Sequence, residues 1–193
     1  MEFTQVIEER RSTRKFSKRI ASKKKIIRLI ECARMSPSAA NRQPWHFVIL
    51  ENEQKEKVAS IMEERMKKNK VELDSANYAT HTYQAVNSVI NSIRVIREAP
   101  ILILVFRPNS DDFRDADYLS IGSAVEHICL KATDLNLGSL WIRDIIYTKQ
   151  EIARLFTDPS MELVVSVAIG YSSEFPYPRM KKKLEEIMEW KSI

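Results

Sequence analysis

Glycine is scarce in this chain of 193 residues, which contains only Gly122, Gly138 and Gly170. The dinucleotide-binding fingerprint requires several closely spaced glycines, and the P-loop requires a glycine pair followed by lysine and a hydroxyl residue. Neither spacing exists here, so both motifs are excluded. Any phosphate group must therefore be bound by side chains rather than by a glycine-rich loop.

Residues that commonly bind metals or act as nucleophiles are also few. Cys32 and Cys129 form no spacing motif and fall in helical patterns, so we expect reduced core thiols. The three histidines are scattered, and no Cys, His and carboxylate spacing is typical of a metal site. His127, in a helical pattern, fits a structural role better than a ligand role. With no G-x-S-x-G motif and no evident carboxylate pair, an enzyme of this sequence would take its reactive group from a cofactor.

Long apolar segments are missing too. No stretch approaches the ~20 apolar residues of a membrane span, and the N-terminus has no charged region followed by an apolar run. We therefore expect a cytoplasmic protein that does not associate with membranes. Hydrophobic residues make up 44% of the chain, enough for a core, and the length suits one domain over residues 1–193.

The charge balance is basic, with 31 Lys and Arg against 26 Asp and Glu and a formal net charge of +5. Much of the excess lies in lysine runs at 23–25, 67–70 and 181–183. These runs have no interleaved aromatic residues and match no nucleic-acid-binding motif. An anionic small ligand is a better interpretation of this charge than nucleic acid.

The hydrophobic pattern predicts an α+β protein with more helix than strand. Continuous apolar runs predict three buried strands, and a fourth, short extended segment begins at Ser139; the runs are 46–50, 101–106 and 163–169. The strongest helical pattern, from Ile121 to Leu135, predicts a central core helix with Gly138 as its C-terminal stop.

Local signals refine the helix boundaries. Ser22 is predicted to cap a helix that ends before Pro37, and residues 148–151 have the pattern of a capping box. Residues 71–84 are polar and weakly patterned, and they leave a loop, a lid and a helix extension as open interpretations. The tail, residues 171–193, carries apolar residues that three strands alone would not bury, so we expect it to pack on a second subunit.

Two short segments concentrate the chemistry. Residues 10–14 (RRSTR) place three guanidiniums and two hydroxyls together, and guanidiniums match phosphate oxygens two at a time. Residues 36–45 (SPSAANRQPW) form a small, polar, proline-bounded turn that can present amide groups to a flat polar ring. Taken alone, each segment is also compatible with an exposed basic turn or an ordinary helix-to-strand loop.

The two segments resemble the flavin-dependent nitroreductase family. Its members carry an Arg-x-Ser-x-Arg/Lys-x-Phe-like element, found here at residues 10–16, and a Ser-Pro-Ser-x-x-Asn-x-Gln-Pro-Trp-x-Phe turn, found at residues 36–47. Further agreement comes from Ala99-Pro100 before an apolar strand, from residues 121–141, and from a strand that ends at Gly170. The matches follow the family's order over nearly the whole chain.

The resemblance implies a nitroreductase-like α+β fold, with a central, mainly antiparallel sheet flanked by helices. It also implies an intertwined homodimer that binds FMN between its subunits. Carried over by position, the phosphate and ribityl chain would contact Arg10, Arg11, Ser12, Arg14 and Arg179. The isoalloxazine ring would contact Pro37, Ser38, Ala39 and Asn41, with Gln43 supporting their turn and the backbone of Leu140 and Trp141 at its other edge.

The implied activity is a ping-pong reductase reaction. NADH or NADPH would deliver a hydride to the flavin and leave, and a nitroaromatic, a quinone or a related planar acceptor would take its place. Flavin fragmentation, reductive dehalogenation and FMN storage without turnover remain alternatives. Two departures from the family pattern affect access to the ring: Arg143-Asp144 stands where glycine is common, and Glu126-His127 stands where a Gln-Asn-like pair is common.

Overall fold

A computed structural model of the chain describes residues 1–74 and 80–191. Its helices are α1 (Phe3–Glu9), α2 (Lys23–Arg34), α3 (Asn52–Asp74), α4 (Thr80–Glu98), α5 (Arg114–Asp134) and α6 (Lys149–Phe156). Its strands are β1 (His46–Glu51), β2 (Ile101–Pro108), β3 (Gly138–Ile142) and β4 (Met161–Gly170). Short 3₁₀ turns cover Ala39–Asn41, Asp144–Thr148 and Leu184–Glu186.

The four strands form one antiparallel sheet in the order β1-β2-β4-β3. The three predicted apolar strands are confirmed as β1, β2 and β4. The short extended segment at Ser139 is confirmed as β3, an edge strand paired with β4. The sheet is therefore one strand wider than the three clear apolar runs alone indicated.

Helices cover both faces of the sheet, and β2 shows why. Its residues from Ile101 to Arg107 are all buried, with the side chains alternating between two cores. Ile101, Ile103 and Val105 pack with residues of α2 and α5, and the intervening residues pack with α3, α4 and α6. A strand covered on both faces needs a continuous apolar run rather than an alternating one.

Helix α5 is the predicted central helix, and it packs on α2, β3 and β4. Most of its described inward face is apolar, including Ile121, Val125 and Ile128, each at most 1% exposed. The same helix also buries the polar side chains of Asp117 and Ser120. Those two residues face the turn described below, so α5 belongs to both the core and the site.

Gly138 does not end helix α5, contrary to the sequence prediction. The helix ends at Asp134, and Asn136 supplies the left-handed residue with φ of 55°. Gly138 instead begins β3, where a Cβ atom would lie 2.5 Å from Oγ1 of Thr13. The glycine is thus required by close contact with the segment that follows α1, not by helix termination.

Two local predictions about helix ends had different outcomes. The Ser22 cap of α2 is confirmed, since its Oγ accepts a hydrogen bond from the Lys25 backbone at 3.4 Å. The capping box at 148–151 is wrong, because the Thr148 hydroxyl donates to the Ile145 carbonyl at 3.0 Å instead. The 3₁₀ turn before α6 supplies that nearby carbonyl, and it competes with the cap.

Residues 71–84 are helical where the structure describes them. Helix α3 continues to Asp74 and α4 begins at Thr80, which favours the helix-extension interpretation at both ends. Residues 75–79 of that segment lie outside the described residues. Within the described ranges, no helix is both long and apolar enough to span a lipid bilayer.

Candidate functional site

The segment after α1 is held in an extended path beside β3. Ser12 pairs with Ser139 in a parallel bridge, and the Thr13 backbone donates to the Ser139 carbonyl at 2.9 Å. Farther along, Ser17 donates to the carbonyl of Tyr171 at 2.8 Å, just after β4. These main-chain bonds fix the backbone of the arginine cluster, while Thr13 alone is buried among its central residues.

The three guanidiniums of this segment have different surroundings. Arg10 Nε lies 3.3 Å from Oε1 of Glu126 on α5. Arg11 Nη1 donates to the carbonyls of Glu8 and Arg10. Arg14 is exposed and donates from Nη1 to the Ser12 carbonyl at 3.1 Å. Arg14 therefore has no carboxylate partner for its side chain among the described residues.

The turn between α2 and β1 has an unusual backbone. Ala40, Asn41 and Gln43 have positive φ of 50°, 54° and 49°. For residues with a Cβ atom this left-handed conformation costs about 1–2 kcal/mol each. Ser38 helps to stabilise the turn, since its Oγ accepts from the Gln43 backbone at 3.0 Å, and Gln43 Nε2 donates to Asn41 Oδ1 at 3.2 Å. Strained turns of this kind are concentrated at ligand sites.

Helix α5 contacts both segments. The Ala39 backbone donates to Ser120 Oγ at 3.3 Å, and Ser36 Oγ is hydrogen-bonded to Nδ1 of His127. His127 thus has the structural role that its position in a helical pattern predicts. Because Glu126, the neighbour of His127, faces Arg10, the departure Glu126-His127 joins the arginine cluster to the turn.

Most of the predicted ring contacts are accessible. The exposed or half-buried residues of the turn are Pro37, Ser38, Ala39, Asn41 and Gln43. On β3, Leu140 is half-buried and Trp141 is 44% exposed. Arg179 lies on the exposed tail, and it makes no hydrogen bond or ion pair within the described part of the chain. The structure therefore brings the N-terminal segment and the turn to α5, but it does not join Arg179 to them.

A cavity of about 440 Å³ opens between α5, β3 and β4. Trp141 and Tyr118 supply aromatic surface, and Gly122 of α5 lies beside the Trp141 ring. Two cations, Arg143 and Lys149, also line the cavity. Its remaining walls are the aliphatic side chains Ile121, Ile146, Leu163, Val164 and Val165. An apolar cavity with few polar groups is typical of a small-molecule site.

A largely buried cluster of charged side chains contacts the turn between α2 and β1 through Arg42. Asp117 accepts from Arg42 Nε at 3.1 Å, and Nε of the fully buried Arg107 lies 3.7 Å from its other oxygen. Arg107 also donates to Glu162 at 2.9 Å, and Lys149 lies 2.7 Å from the same carboxylate. Sequence reasoning missed this cluster, because its five members lie in five separate parts of the chain and form no local motif.

Burial and ion pairing shift the pKa values of both cysteines and of Glu162. Burial raises the pKa of the Cys129 thiol to about 11, so it is protonated at neutral pH. Burial also raises the pKa of Cys32, and both cysteines are free. Burial would raise the pKa of Glu162, but hydrogen bonds from Lys149 and Arg107 outweigh it and hold the value at about 2.

Curated proteins with related sequences include both reductases and deiodinases. A protein of Methanothermobacter thermautotrophicus, provisionally named an NADH dehydrogenase/NAD(P)H nitroreductase, is 27% identical over 186 residues, which cover 93% of this chain and 82% of that protein. An iodotyrosine deiodinase of Thermotoga neapolitana is 28% identical over 178 residues, which cover 89% and 88% of the two chains.

Solved structures and a family model agree with the fold. A BluB-like flavoprotein from Clostridium difficile 630 matches with a TM-score of 0.82 and 25% identity over all of both chains. An FMN and NADPH-dependent nitroreductase from Sphingopyxis sp. strain HMH matches with a TM-score of 0.79 over all of both chains; at 17% identity it shows the fold alone. The predicted nitroreductase-like α+β fold is therefore confirmed. The nitroreductase family model matches residues 7–171, and the chain belongs to the nitroreductase family.

Proposed function

We propose that this chain is an FMN-dependent oxidoreductase that uses NADH or NADPH to reduce a small planar acceptor, such as a nitroaromatic or a quinone. The main support is the convergence of the two family motifs on one helix. Arg10 of the first motif meets Glu126 of α5, and Ser36 of the second meets the adjacent His127. Two segments that are separate in the sequence thus contact the same stretch of α5.

The hydrogen-bond donors of these two segments suit FMN. A phosphate dianion needs permanently charged donors, and Arg10 and Arg14 are held there on a fixed backbone. Arg11 and Arg179 are additional candidates, although Arg11 already donates to two carbonyls of its own segment. The residues that we propose for the ribityl chain and the ring are Ser12, Pro37, Ser38, Ala39, Asn41, Gln43, Leu140 and Trp141.

FMN supplies the hydride-transfer chemistry when bound, so the protein needs no nucleophile. The residues of the chain bind and orient the cofactor and the acceptor. The cavity walls beside Trp141 hold a planar acceptor and exclude water from one side of it. The fixed turn from Ser38 to Gln43 presents amide groups in one geometry, which spares the ordering entropy on binding.

Steady-state consumption of NADH and NADPH tests this proposal. The FMN-loaded protein is expected to oxidise at least one of the two donors in the presence of menadione or a nitroaromatic. Because the acceptor completes the cycle, omission of the acceptor under anaerobic conditions should stop turnover after one equivalent per flavin. A protein that binds FMN yet consumes neither donor with any acceptor would contradict the proposal and favour FMN storage or a different reductant.

Reductive dehalogenation of a halogenated phenol is the second candidate. It is favoured by the iodotyrosine deiodinases among the relatives, including one of Hydra vulgaris that is 29% identical over 199 residues. The two functions separate under anaerobic conditions with a chemical reductant. Iodide release from iodotyrosine at a rate well above that of nitroaromatic reduction would assign dehalogenation, and the reverse ranking would assign the reductase.

We also propose that the functional unit is a homodimer whose tail packs on the second subunit. In the single chain, large apolar side chains of the tail are exposed to solvent, including Phe175 at 100%, Tyr177 at 91% and Trp190 at 85%. Monomers rarely expose so much apolar surface in one region. Sedimentation equilibrium should give twice the chain mass of 22.5 kDa. A single-chain mass at micromolar concentration would exclude the dimer.

A further inference from the structure

Arg143 is an uncompensated cation in the cavity beside Trp141. Its side chain is exposed and lines the cavity of about 440 Å³. Among the residues whose side chains are described, which exclude residues 69–85, no carboxylate oxygen lies within 4.0 Å of its guanidinium. Lys149, the other cation of this cavity, is held by Glu162 at 2.7 Å. Arg143 is therefore the cation that remains available to a ligand there.

The neighbouring carboxylate, Asp144, is hydrogen-bonded to α4 and does not form an ion pair with Arg143. Asp144 Oδ2 accepts hydrogen bonds from Ser88 and Ser92 of α4, each at 2.7 Å. These two bonds tie the turn after β3 to α4. Buried Ile142 and Ile145 fix the backbone on either side of Arg143. The guanidinium thus lies on a fixed turn, and its donors have no carboxylate partner among the side chains that the structure describes.

The surroundings define the group that this guanidinium suits. Its planar fork matches the two oxygens of a carboxylate. The adjacent surface of Trp141 and Tyr118 suits a flat ring, and the remaining walls are mainly aliphatic. A carboxylate attached to an aromatic ring satisfies both features at once, whereas a neutral ring would leave the charge unpaired.

We propose that Arg143 is a specificity-determining residue that selects acceptors carrying an anionic group, specifically aromatic carboxylates. This inference rests on the proposed function, because the acceptor and FMN would share the site. The phosphates of NADH or NADPH are another source of anionic oxygen. The experiment below separates the two sources by measuring acceptor binding without any donor present.

The first test compares benzoate with benzamide, two flat rings of similar size that differ in charge. Each is titrated into the FMN-loaded protein, and binding is followed by the perturbation of flavin absorption. Wild type should bind benzoate more tightly, and Arg143→Gln should weaken benzoate binding by about 10- to 100-fold, as expected for one charge-assisted hydrogen-bonding group. Benzamide binding should not change. Arg28→Gln removes the same charge from an exposed site on α2 and is the matched control.

A kinetic arm uses 4-nitrobenzoate and 4-nitrobenzamide as acceptors. Arg143→Gln should lower kcat/KM for the carboxylate alone, and Arg143→Lys should retain part of the preference because it keeps the charge without the fork. The rate at which NADH or NADPH bleaches the flavin is measured in the same variants. A variant that slows bleaching yet leaves benzoate binding intact would assign Arg143 to the donor and overturn the proposal.

The failures of the two proposals are distinguishable. Unchanged benzoate affinity in Arg143→Gln, in a protein that binds FMN and turns over, overturns the specificity role alone. Failure of the wild type to bind FMN overturns the proposed function and this inference with it. Equal loss in Arg28→Gln would show a general charge effect, which also contradicts a specific contact.

Discussion

Replacing Arg10 and Arg14 together by alanine is expected to abolish retention of FMN through purification. Each guanidinium offers charge-assisted hydrogen bonds worth about 1.5–3 kcal/mol. Losing both should raise the dissociation constant for FMN by roughly 10²- to 10⁴-fold. The fold should survive, because both side chains are at least partly exposed and the segment is held by main-chain bonds to Ser139 and Tyr171.

Fluorescence titration of FMN measures this effect, since flavin emission changes on binding. The control is Lys23→Ala with Lys24→Ala, which removes two positive charges from an exposed stretch of α2. The control should bind FMN as the wild type does. If the arginine variant kept its affinity, or if both variants lost it equally, the assignment of Arg10 and Arg14 to the phosphate would be wrong.

The single substitutions carry further information. Arg10 is paired with Glu126 at 3.3 Å, whereas the Arg14 guanidinium meets a backbone carbonyl at 3.1 Å. The Glu126 carboxylate competes with phosphate for Arg10 but does not affect Arg14 in this way. Arg14→Ala should therefore cost more affinity for FMN than Arg10→Ala.

Glu162→Gln is expected to cause the largest loss of stability. The fully buried Arg107 would lose its carboxylate partner at 2.9 Å and keep only Asp117 at 3.7 Å. Lys149 would lose its partner, and Arg114 would keep only Asp111. Breaking a buried ion pair by removal of one partner costs about 3–5 kcal/mol, because the remaining buried charge is poorly compensated. Urea unfolding at neutral pH should show that decrease in the free energy of unfolding.

The pH dependence of the free energy of unfolding should show the contribution of the Glu162 carboxylate. The pKa of Glu162 is held at about 2 in the folded chain, whereas a glutamate in an unfolded chain titrates near ~4.3. Its contribution is complete above the unfolded value and is lost as the pH falls through about 2. The stability difference between wild type and Glu162→Gln should therefore shrink steadily below about pH 4.

Glu189→Gln provides the matched control, since Glu189 lies on the exposed tail, 3.5 Å from Lys191. Exposed ion pairs contribute about 0–1 kcal/mol, so this variant should unfold like the wild type at every pH. A Glu162→Gln variant as stable as the wild type would mean that the cluster is not a structural support for the turn at Arg42.

The parts of the fold that the sequence predicted well are those determined by local pattern. The run from Ile101 to Phe106 is apolar throughout because both of its faces are covered, and it forms β2, one of the two inner strands of the sheet. The helical spacing from Ile121 onward reflects packing against α2 and the sheet. Such signals lie within a few residues of each other, so a single sequence contains them.

Each of the two wrong predictions was decided by a contact outside the motif that suggested it. Gly138 and Asn136 are both plausible helix terminators, and only the approach of Thr13 to β3 shows that the glycine is needed there. Likewise, the Thr148 hydroxyl binds Ile145 because a 3₁₀ turn precedes α6. A short motif did not contain that information.

The candidate site likewise has contacts that local motifs predicted and contacts that only the folded chain shows. The family motifs predicted Arg10, Ser38 and the other contacts by position, and these assignments stay predictions until FMN binding is measured. Glu126 and Asp144 depart from the family pattern, and their partners were not predictable from the sequence. Glu126 meets Arg10, and Asp144 meets Ser88, only in the folded chain. Residues 75–79 lie outside the described structure and add nothing to the site as described.

The most direct test of the account is the visible absorption spectrum of the FMN-equilibrated protein, recorded anaerobically before and after addition of NADH or NADPH. The account predicts flavin bands that remain with the protein on gel filtration and that bleach when a donor is added. Bands that are lost on gel filtration would contradict the assignment of the arginine cluster and the turn to FMN. Bands that are retained but persist with both donors would contradict the proposed reductase activity.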